Sequence, residues 1–267
     1  PYIEDTSGQN NDSENPQVTT TNTPIFDEDF SPTNSWTQVN SWVSVTGGQA
    51  QHSGGNNQDH RIHSALSSAV SDDTWMMTFK YNGASTDFGY VILSSGTSNP
   101  DSNNSDWIGF YPAMATNNGF SLSWADSGSM STQGWVGGLS QNTDYWIKIV
   151  RETSTSASLY VYSDEAMTSL VGSQTATIPA TITGLDNVVI SSITGGGNGS
   201  GVVWYVDDLK VYDGVTSLSS TSQPTFSSGT IANQIDDPQI TVKSSTLFDG
   251  TDAHTVAAWT SASQTRD

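Results

Sequence analysis

VVWYVDDLKVYDG, residues 202–214, is an unbroken run of strand-forming residues that ends in the turn pair Asp-Gly. Side chains alternate between the two faces of a strand, which predicts one shared face for Val203, Tyr205, Asp207, Leu209 and Val211. That face is apolar except at Asp207. Because burial of an unpaired carboxylate costs several kcal/mol, Asp207 needs backbone donors, a cation or a bulge that turns it outward. The stretch predicts the closing strand of a β-sandwich with a candidate ion site beside it.

The rest of the chain shows the same strand-forming pattern. Short runs of alternating apolar and polar residues recur every ten to fifteen residues or so, with Gly-, Asn- and Ser-rich turns between them. No segment shows a helical period over two turns. The pattern predicts an all-β fold: an antiparallel jelly-roll β-sandwich with an extended N-terminal tail and a C-terminal β extension.

Changes in composition divide the chain into four parts. Residues 1–23 hold almost nothing to bury and predict a polar tail, whereas residues 24–214 carry the jelly-roll pattern. Residues 215–239 are rich in Ser, Thr and Pro and predict a linker. Residues 240–267 predict a β-strand extension or a partial second domain, because so few apolar groups will not fold well alone.

The charge of the chain excludes several classes of function. It has 27 acidic against 7 basic residues, a net charge of −20, and 22 of the acids are Asp. Such a surface repels nucleic acids and anionic membranes, so neither nucleic-acid binding nor membrane insertion is expected. The absence of Cys rules out disulfides, thiolate zinc sites and cysteine nucleophiles. A polar chain with 10% aromatic residues is typical of an extracellular protein or one on a cell or virion surface.

Three segments resemble the concanavalin A-like lectin/glucanase superfamily, and its laminin-G-like members in particular. They are FDEDF (residues 26–30) followed by Trp36, the pair YWIKIVR (145–151) and LYVYSD (159–164), and the closing WYVDDLKVYD (204–213). The likeness covers about residues 24–214. It implies two curved antiparallel sheets, often a calcium ion, and binding of carbohydrate or protein on the concave face or the rim loops.

Two groups of oxygen-bearing side chains are candidate calcium sites. The resemblance implies that an opening acidic strand and a closing Asp-Asp strand share structural calcium, which points to Asp27 and Asp29, next to Glu28, with Asp207 and Asp208. The alternative is that Asp207 accepts hydrogen bonds from backbone amides. A second candidate is the loop of residues 99–106, whose donors suit a hard cation that prefers oxygen ligands: Asp101, Asn103 and Asp106. A solvated Asn/Asp turn explains that loop equally well.

Four aromatic residues lie in or beside polar loops, where rings can stack on sugars: Trp42, Trp107, Tyr111 and Trp135. Any one of them alone suits core or rim packing. Two of them together near Asp101, Asn103 or Asp106 would form a sugar-binding platform. Three sequons, at Asn11, Asn103 and Asn198, fall in predicted loops and are candidate glycosylation sites.

Catalytic patterns are absent from the sequence. The resemblance implies a Glu-x-Asp-x-x-Glu strand in the glucanases, and none of the Glu residues begins it: Glu4, Glu14, Glu28, Glu152 and Glu165. His60 and His63 are three apart, which in a strand places them on opposite faces and disfavours a shared zinc.

The sequence therefore favours a non-catalytic, extracellular glycan-binding or adhesion module with possible calcium. A second hypothesis is a structural subunit of a filament, surface layer or virion, with copies of the chain joined through terminal strands. A polysaccharide-active enzyme is the third.

Overall fold

The computed structural model describes residues 3–5, 22–31, 36–53, 59–83, 89–100, 104–192, 203–217 and 240–242. The chain divides into two compact units, one of residues 22–218 and one of residues 1–21 with 219–267. In the second unit, β1 (Ile3–Asp5) pairs antiparallel with β17 (Ile240–Val242). The assembly of copies through terminal strands stays a prediction. No helix in the described part of the chain is long and apolar enough to cross a membrane.

The described residues of the unit 22–218 form β-strands and one short helix, α1 (Met114–Asn117). The strands are β2 (Phe26–Glu28), β3 (Thr37–Val39), β4 (Val43–Thr46), β5 (Gln49–Ser53), β6 (Arg61–Ala65), β7 (Trp75–Gly83), β8 (Gly89–Ser94), β9 (Trp107–Ala113), β10 (Gly119–Asp126), β11 (Ser129–Thr132), β12 (Tyr145–Thr153), β13 (Ser156–Tyr162), β14 (Leu170–Thr177), β15 (Asn187–Ser192) and β16 (Val203–Asp213).

These strands form two antiparallel sheets, so the predicted β-sandwich is confirmed. The seven-stranded sheet has the order β11-β10-β9-β8-β15-β6-β3. The eight-stranded sheet has the order β14-β13-β12-β7-β16-β5-β4, and β2 pairs with β16 beside that path. One hydrophobic core fills the space between the sheets, and residues such as Phe79, Phe110 and Phe120 contact one another in it. We use "outer face" for the side of each sheet that is turned away from this core.

A β-bulge in β16 overturns the predicted assignment of its faces. Asp207 pairs with Lys80, but the next pair is Lys210 with Thr78, so β16 has one residue more than β7 over this interval. Asp208 takes up the extra residue in the left-handed conformation, with φ of 50°. Strand alternation is thereby reset.

As a result, the core side of β16 holds Trp204 and Val206 before the bulge and Leu209 and Val211 after it. Tyr205 and Asp207 do not share that face with Leu209, as strict alternation predicts. Of the three ways to accommodate Asp207, the structure uses the bulge and a backbone donor, and the side chain is only half-buried.

The bulge lies where β16 changes its neighbour. Residues 203–206 pair with β5, and residues 209–211 pair with β2. The carboxylate of Asp207 accepts hydrogen bonds from its neighbour's backbone, Asp208 N (3.0 Å), and from Gln49 Nε2 (3.1 Å). Asp207 therefore satisfies backbone groups at the point where the ladder is interrupted.

Candidate functional site

An aromatic cluster lies on the outer face of the seven-stranded sheet. Tyr90 of β8 stacks on Tyr111 of β9, with ring centroids 5.3 Å apart and planes at 22°. Trp107 lies 5.5 Å from Tyr90, and Trp135 lies 5.4 Å from Tyr111. The Tyr90 hydroxyl is 3.4 Å from the sulfur of Met130 on the edge strand β11. We call these five residues the aromatic cluster.

Strand alternation explains why these residues meet. Trp107 and Tyr111 are four apart on β9 and therefore share a face, while Ile108 and Phe110 point into the core. Tyr90 and Ile92 occupy the corresponding face of the neighbouring strand β8. Ala125 and Val189 complete the apolar floor beneath the rings.

The members of the aromatic cluster differ in their exposure to solvent. Trp107 is fully buried and Tyr90 is 2% exposed, so both support the ring above them. Tyr111 is half-buried, Trp135 is 37% exposed and Met130 is 48% exposed. A ligand can therefore reach Tyr111, Trp135 and Met130 directly, and Trp107 only if its surroundings move.

The loop that carries Trp135 is fixed by the backbone of β10. Phe120 and Val136 exchange two hydrogen bonds, of 2.8 and 3.1 Å, in an isolated bridge. The buried Ser121 hydroxyl lies within hydrogen-bonding distance of the carbonyls of Gln133 and Gly134. Trp135 is thus exposed on a segment with a defined position, which reduces the entropic cost of ordering it when it binds a ligand.

Two buried polar atoms on this outer face have no hydrogen-bond partner within the described part of the chain. They are Trp107 Nε1 and Ser191 Oγ. Ser191 pairs with Tyr90 on one side and with Arg61 on the other. Buried polar groups normally find a partner, so a ligand hydroxyl or a water molecule in this region would have donors and acceptors to meet.

Asp106 lies immediately before β9, but its oxygens are engaged by backbone groups. Oδ1 accepts from Ser127 N at 2.8 Å, and Oδ2 accepts from Thr183 N at 3.2 Å. Its side chain therefore ties two loops to the start of β9, close in sequence to Trp107. Asp101 and Asn103, the other predicted ligands of this loop, lie outside the described residues, as do Asn11 and Asn198.

The structure does not gather Asp27, Asp29, Asp207 and Asp208 into one cluster. Within the described ranges, no three acidic or histidine side chains lie close enough together to hold a metal ion. Asp27 pairs with Lys210 at 3.4 Å, and Asp29 accepts a hydrogen bond from Ser31 N at 3.0 Å. At the bulge, burial and the neighbouring charge of Asp207 raise the pKa of Asp208. The calcium assignment stays a prediction.

Trp42 and the histidines are placed away from the aromatic cluster. Trp42 stacks on His60, with centroids 5.1 Å apart, and His52 stacks on Trp204 at 5.6 Å. Burial lowers the pKa of His60; burial and the charge of Arg61 lower that of His63. Three of the four aromatic residues singled out from the sequence therefore lie together, and Trp42 does not.

Tyr90 and Met130 are the members of the cluster that the sequence analysis missed. Tyr90 reads as an ordinary residue of a buried strand, and Met130 lies in a Gly- and Ser-rich stretch. The available signal for Tyr90 was its alternation with the core residues Val91 and Leu93, which places it on the outer face.

Comparison with known proteins places the fold. No protein-family model and no curated protein matches the chain. The apo form of Crh5 transglycosylase superposes with a TM-score of 0.50 at 14% identity, over 77% of this chain and 93% of that one. β-Glucanase from Bacillus licheniformis gives a TM-score of 0.48 at 13% identity, over 71% and 98% of the two chains. Lectin II from Ulex europaeus gives 0.48 at 14% identity, over 70% and 97%.

The sandwich has a concanavalin A-like jelly-roll fold. The resemblance drawn from the three sequence segments is therefore confirmed for the fold. Identity this low carries no information about the chemistry, which depends on the residues of this chain.

Proposed function

We propose that this protein binds glycans through the aromatic cluster on the outer face of the seven-stranded sheet. The observation that carries the proposal is the pair formed by the half-buried Tyr111 and the exposed Trp135, whose ring centroids lie 5.4 Å apart. The apolar faces of sugar rings pack against such rings, and nearby hydroxyl and indole groups fix their orientation. The names of lectin II and Crh5 transglycosylase refer to the binding or the chemistry of carbohydrates, and this agrees with the proposal.

We also propose that the site is non-catalytic. Retaining and inverting glycosidases need two carboxyl groups about 5 to 10 Å apart across the scissile bond. The described Glu residues belong to the other sheet or its turns: Glu28 in β2, Glu152 in β12 and Glu165 after β13. Asp106, next to Trp107, accepts hydrogen bonds from two backbone amides. Glu28 is buried and accepts hydrogen bonds from Phe30 N and Trp36 Nε1, which gives it a structural role.

The experiment is a titration of neutral oligosaccharides from a glycan panel against the full chain. Trp135→Ala and Tyr111→Ala should each weaken binding by about tenfold. Trp42→Ala is the matched control, because it removes an indole away from the cluster and should leave the affinity unchanged. The proposal would be refuted if the wild type bound no glycan of the panel, or if all three variants lost affinity equally. Bound polysaccharides should release no new reducing ends.

Calcium beside the bulge is a separate proposal that rests on Asp207 and Asp208. Burial and, after it, the adjacent charge of Asp207 raise the pKa of Asp208, and a divalent cation would neutralise both carboxylates. Calcium should then raise the melting temperature by several degrees relative to EDTA, and Asp207→Asn should abolish the difference. An identical melting temperature in calcium and EDTA would exclude the site. An extracellular or surface location stays a prediction from composition.

A further inference from the structure

The opposite side of the sandwich carries a second group of aromatic and charged residues, most of which are half-buried. The chain has four lysines, and the three that the structure describes all lie on the outer face of the eight-stranded sheet. Lys80 lies on β7, Lys148 on β12 and Lys210 on β16, which are three adjacent strands. In a chain with a net charge of −20, the described lysines are thus concentrated on one surface, whereas Arg61 lies on the other sheet and Arg151 is buried.

The sheet register places these lysines in two rows with aromatic residues. In the first row, Lys148 pairs with Tyr160 on one side and with Thr78 on the other, and Thr78 pairs with Lys210. In the second row, Trp146 lies between Tyr162 and Lys80. The rows are two residues apart along each strand, or about 7 Å. Aromatic and lysine side chains are therefore neighbours in both rows, and the second row ends at Asp207, which pairs with Lys80.

Lys148 differs from the other two lysines. Its ammonium lies 4.5 Å from the centroid of the Tyr160 ring and 5.5 Å from that of Tyr162, and it makes no ion pair with any residue that the structure describes. Tyrosine rings hold an ammonium in place but leave part of its charge unneutralised. Lys148 is therefore a positioned cation with capacity for a carboxylate.

Lys80 and Lys210 are paired with Asp144 at 3.1 Å and Asp27 at 3.4 Å. Both Asp side chains are well exposed, at 42% and 56%. Because exposed ion pairs contribute little free energy, a ligand carboxylate can replace either Asp at low cost. The three lysines together can serve successive carboxylates of a linear polymer.

We infer that this face binds a carboxylate-bearing polysaccharide, with a uronic acid ring on the half-buried Trp146 and carboxylates on Lys148 and Lys80. The ring face and the carboxylate of a uronic acid match an indole that has lysines on its own strand and on the neighbouring strand. The negative charge of the rest of the surface is screened over about 8 Å at physiological ionic strength, so it does not prevent contact at a local cationic site. This second site is independent of the aromatic cluster.

The test compares two ligands that differ in charge and otherwise only by the methyl groups of the ester. Oligogalacturonate and its methyl ester are titrated against the full chain at physiological ionic strength. We expect oligogalacturonate to bind the wild type and the methyl ester to bind at least about tenfold more weakly. Lys148→Met should weaken oligogalacturonate binding by about tenfold, and Lys148→Arg should retain it, since Arg keeps the charge and stacks on tyrosine rings. If Lys148→Met does not fold, Lys80→Met provides the same test.

Trp135→Ala separates this inference from the proposed glycan site. It should leave oligogalacturonate binding unchanged while it weakens binding of neutral oligosaccharides. The inference is overturned if oligogalacturonate does not bind, if the methyl ester binds equally well, or if the lysine variants bind like the wild type. Loss of oligogalacturonate binding in Trp135→Ala would also overturn it, since that result assigns both ligands to one face.

Discussion

The two outer faces of the sandwich use similar aromatic residues in different surroundings. On the seven-stranded sheet, the rings of the aromatic cluster contact one another and Met130 above an apolar floor. On the eight-stranded sheet, Tyr160 and Tyr162 contact the ammonium of Lys148. The backbone ladders are alike, so the difference lies in which side chains alternation turns outward. The comparison teaches that strand alternation decides what each face offers a ligand, and the bulge resets that alternation only for the part of β16 that carries Lys210.

Removal of the bulge should have the largest effect. Deletion of Asp208 restores strict alternation in β16, so either Trp204 and Val206 or Leu209 and Val211 must leave the core. We expect the deletion variant to fail to fold, because exposure of two such side chains costs more than the few kcal/mol by which most domains are stable. Circular dichroism and the soluble yield measure the outcome.

Asp208→Gly is the matched control for that deletion. It keeps the extra residue, suits the φ of 50° and removes a carboxylate next to Asp207. Its stability should equal or exceed that of the wild type. A folded deletion variant with normal stability would show that the bulge does not set the faces of β16.

Tyrosine-to-alanine changes on the two faces should have unequal costs. Tyr90→Ala should lower the free energy of unfolding by about 3 kcal/mol, because Tyr90 is 2% exposed and contacts two other rings. Tyr160→Ala should cost about 1 kcal/mol, because Tyr160 is half-buried at the edge of the cluster around Met76 and contacts the ammonium of Lys148. Urea unfolding measures both. Equal costs would mean that the two faces are packed alike.

Acid should destabilise the region around His60. Burial lowers the pKa of His60, so the folded state favours the neutral imidazole and binds fewer protons than the unfolded state. The contribution of neutral His60 to the free energy of unfolding is fully present above the pKa of about 6.5 that the residue has in the unfolded state. It is lost as the pH falls through the lower pKa of the folded state. The melting temperature should therefore fall between about pH 7 and pH 5. His60→Gln should flatten this dependence, and an unchanged slope in the variant would contradict it.

The smallest effect should come from Asp144. Partial burial would raise the pKa of its carboxyl, but hydrogen bonds from Asn82 and Lys80 and the charge of Lys80 lower it below the ordinary value. The stabilisation is present above the unfolded pKa of about 3.9 and is lost as the pH falls through the folded value. Since Asp144 is 42% exposed, Asp144→Asn should cost less than about 1 kcal/mol at pH 7. The difference in stability between Asp144→Asn and the wild type should vanish near pH 2, as measured by acid titration followed by fluorescence.

The sequence predicts the strands well because local alternation is visible in it, as in the hairpin of β12 and β13. The bulge could not be located, because it depends on the change of neighbour from β5 to β2 and on the contact from Gln49. Two successive Asp residues inside an apolar strand were the only local sign of it.

The candidate site could be predicted in part, because strand alternation is visible in the sequence. Trp107 and Tyr111 share a face through alternation along one strand, which the sequence shows. Trp135 joins them only because its loop returns along β10 through the bridge between Phe120 and Val136. Such long-range pairing leaves no local pattern, which is also why Trp42 could not be told apart from the other three aromatic residues.

The most direct test of the account is a crystal structure of the full chain with a neutral oligosaccharide that the glycan panel selects. The account predicts a sugar ring against Tyr111 and Trp135 on the outer face of the seven-stranded sheet. A sugar bound anywhere else on the sandwich, with Tyr111 and Trp135 free of ligand, would contradict it.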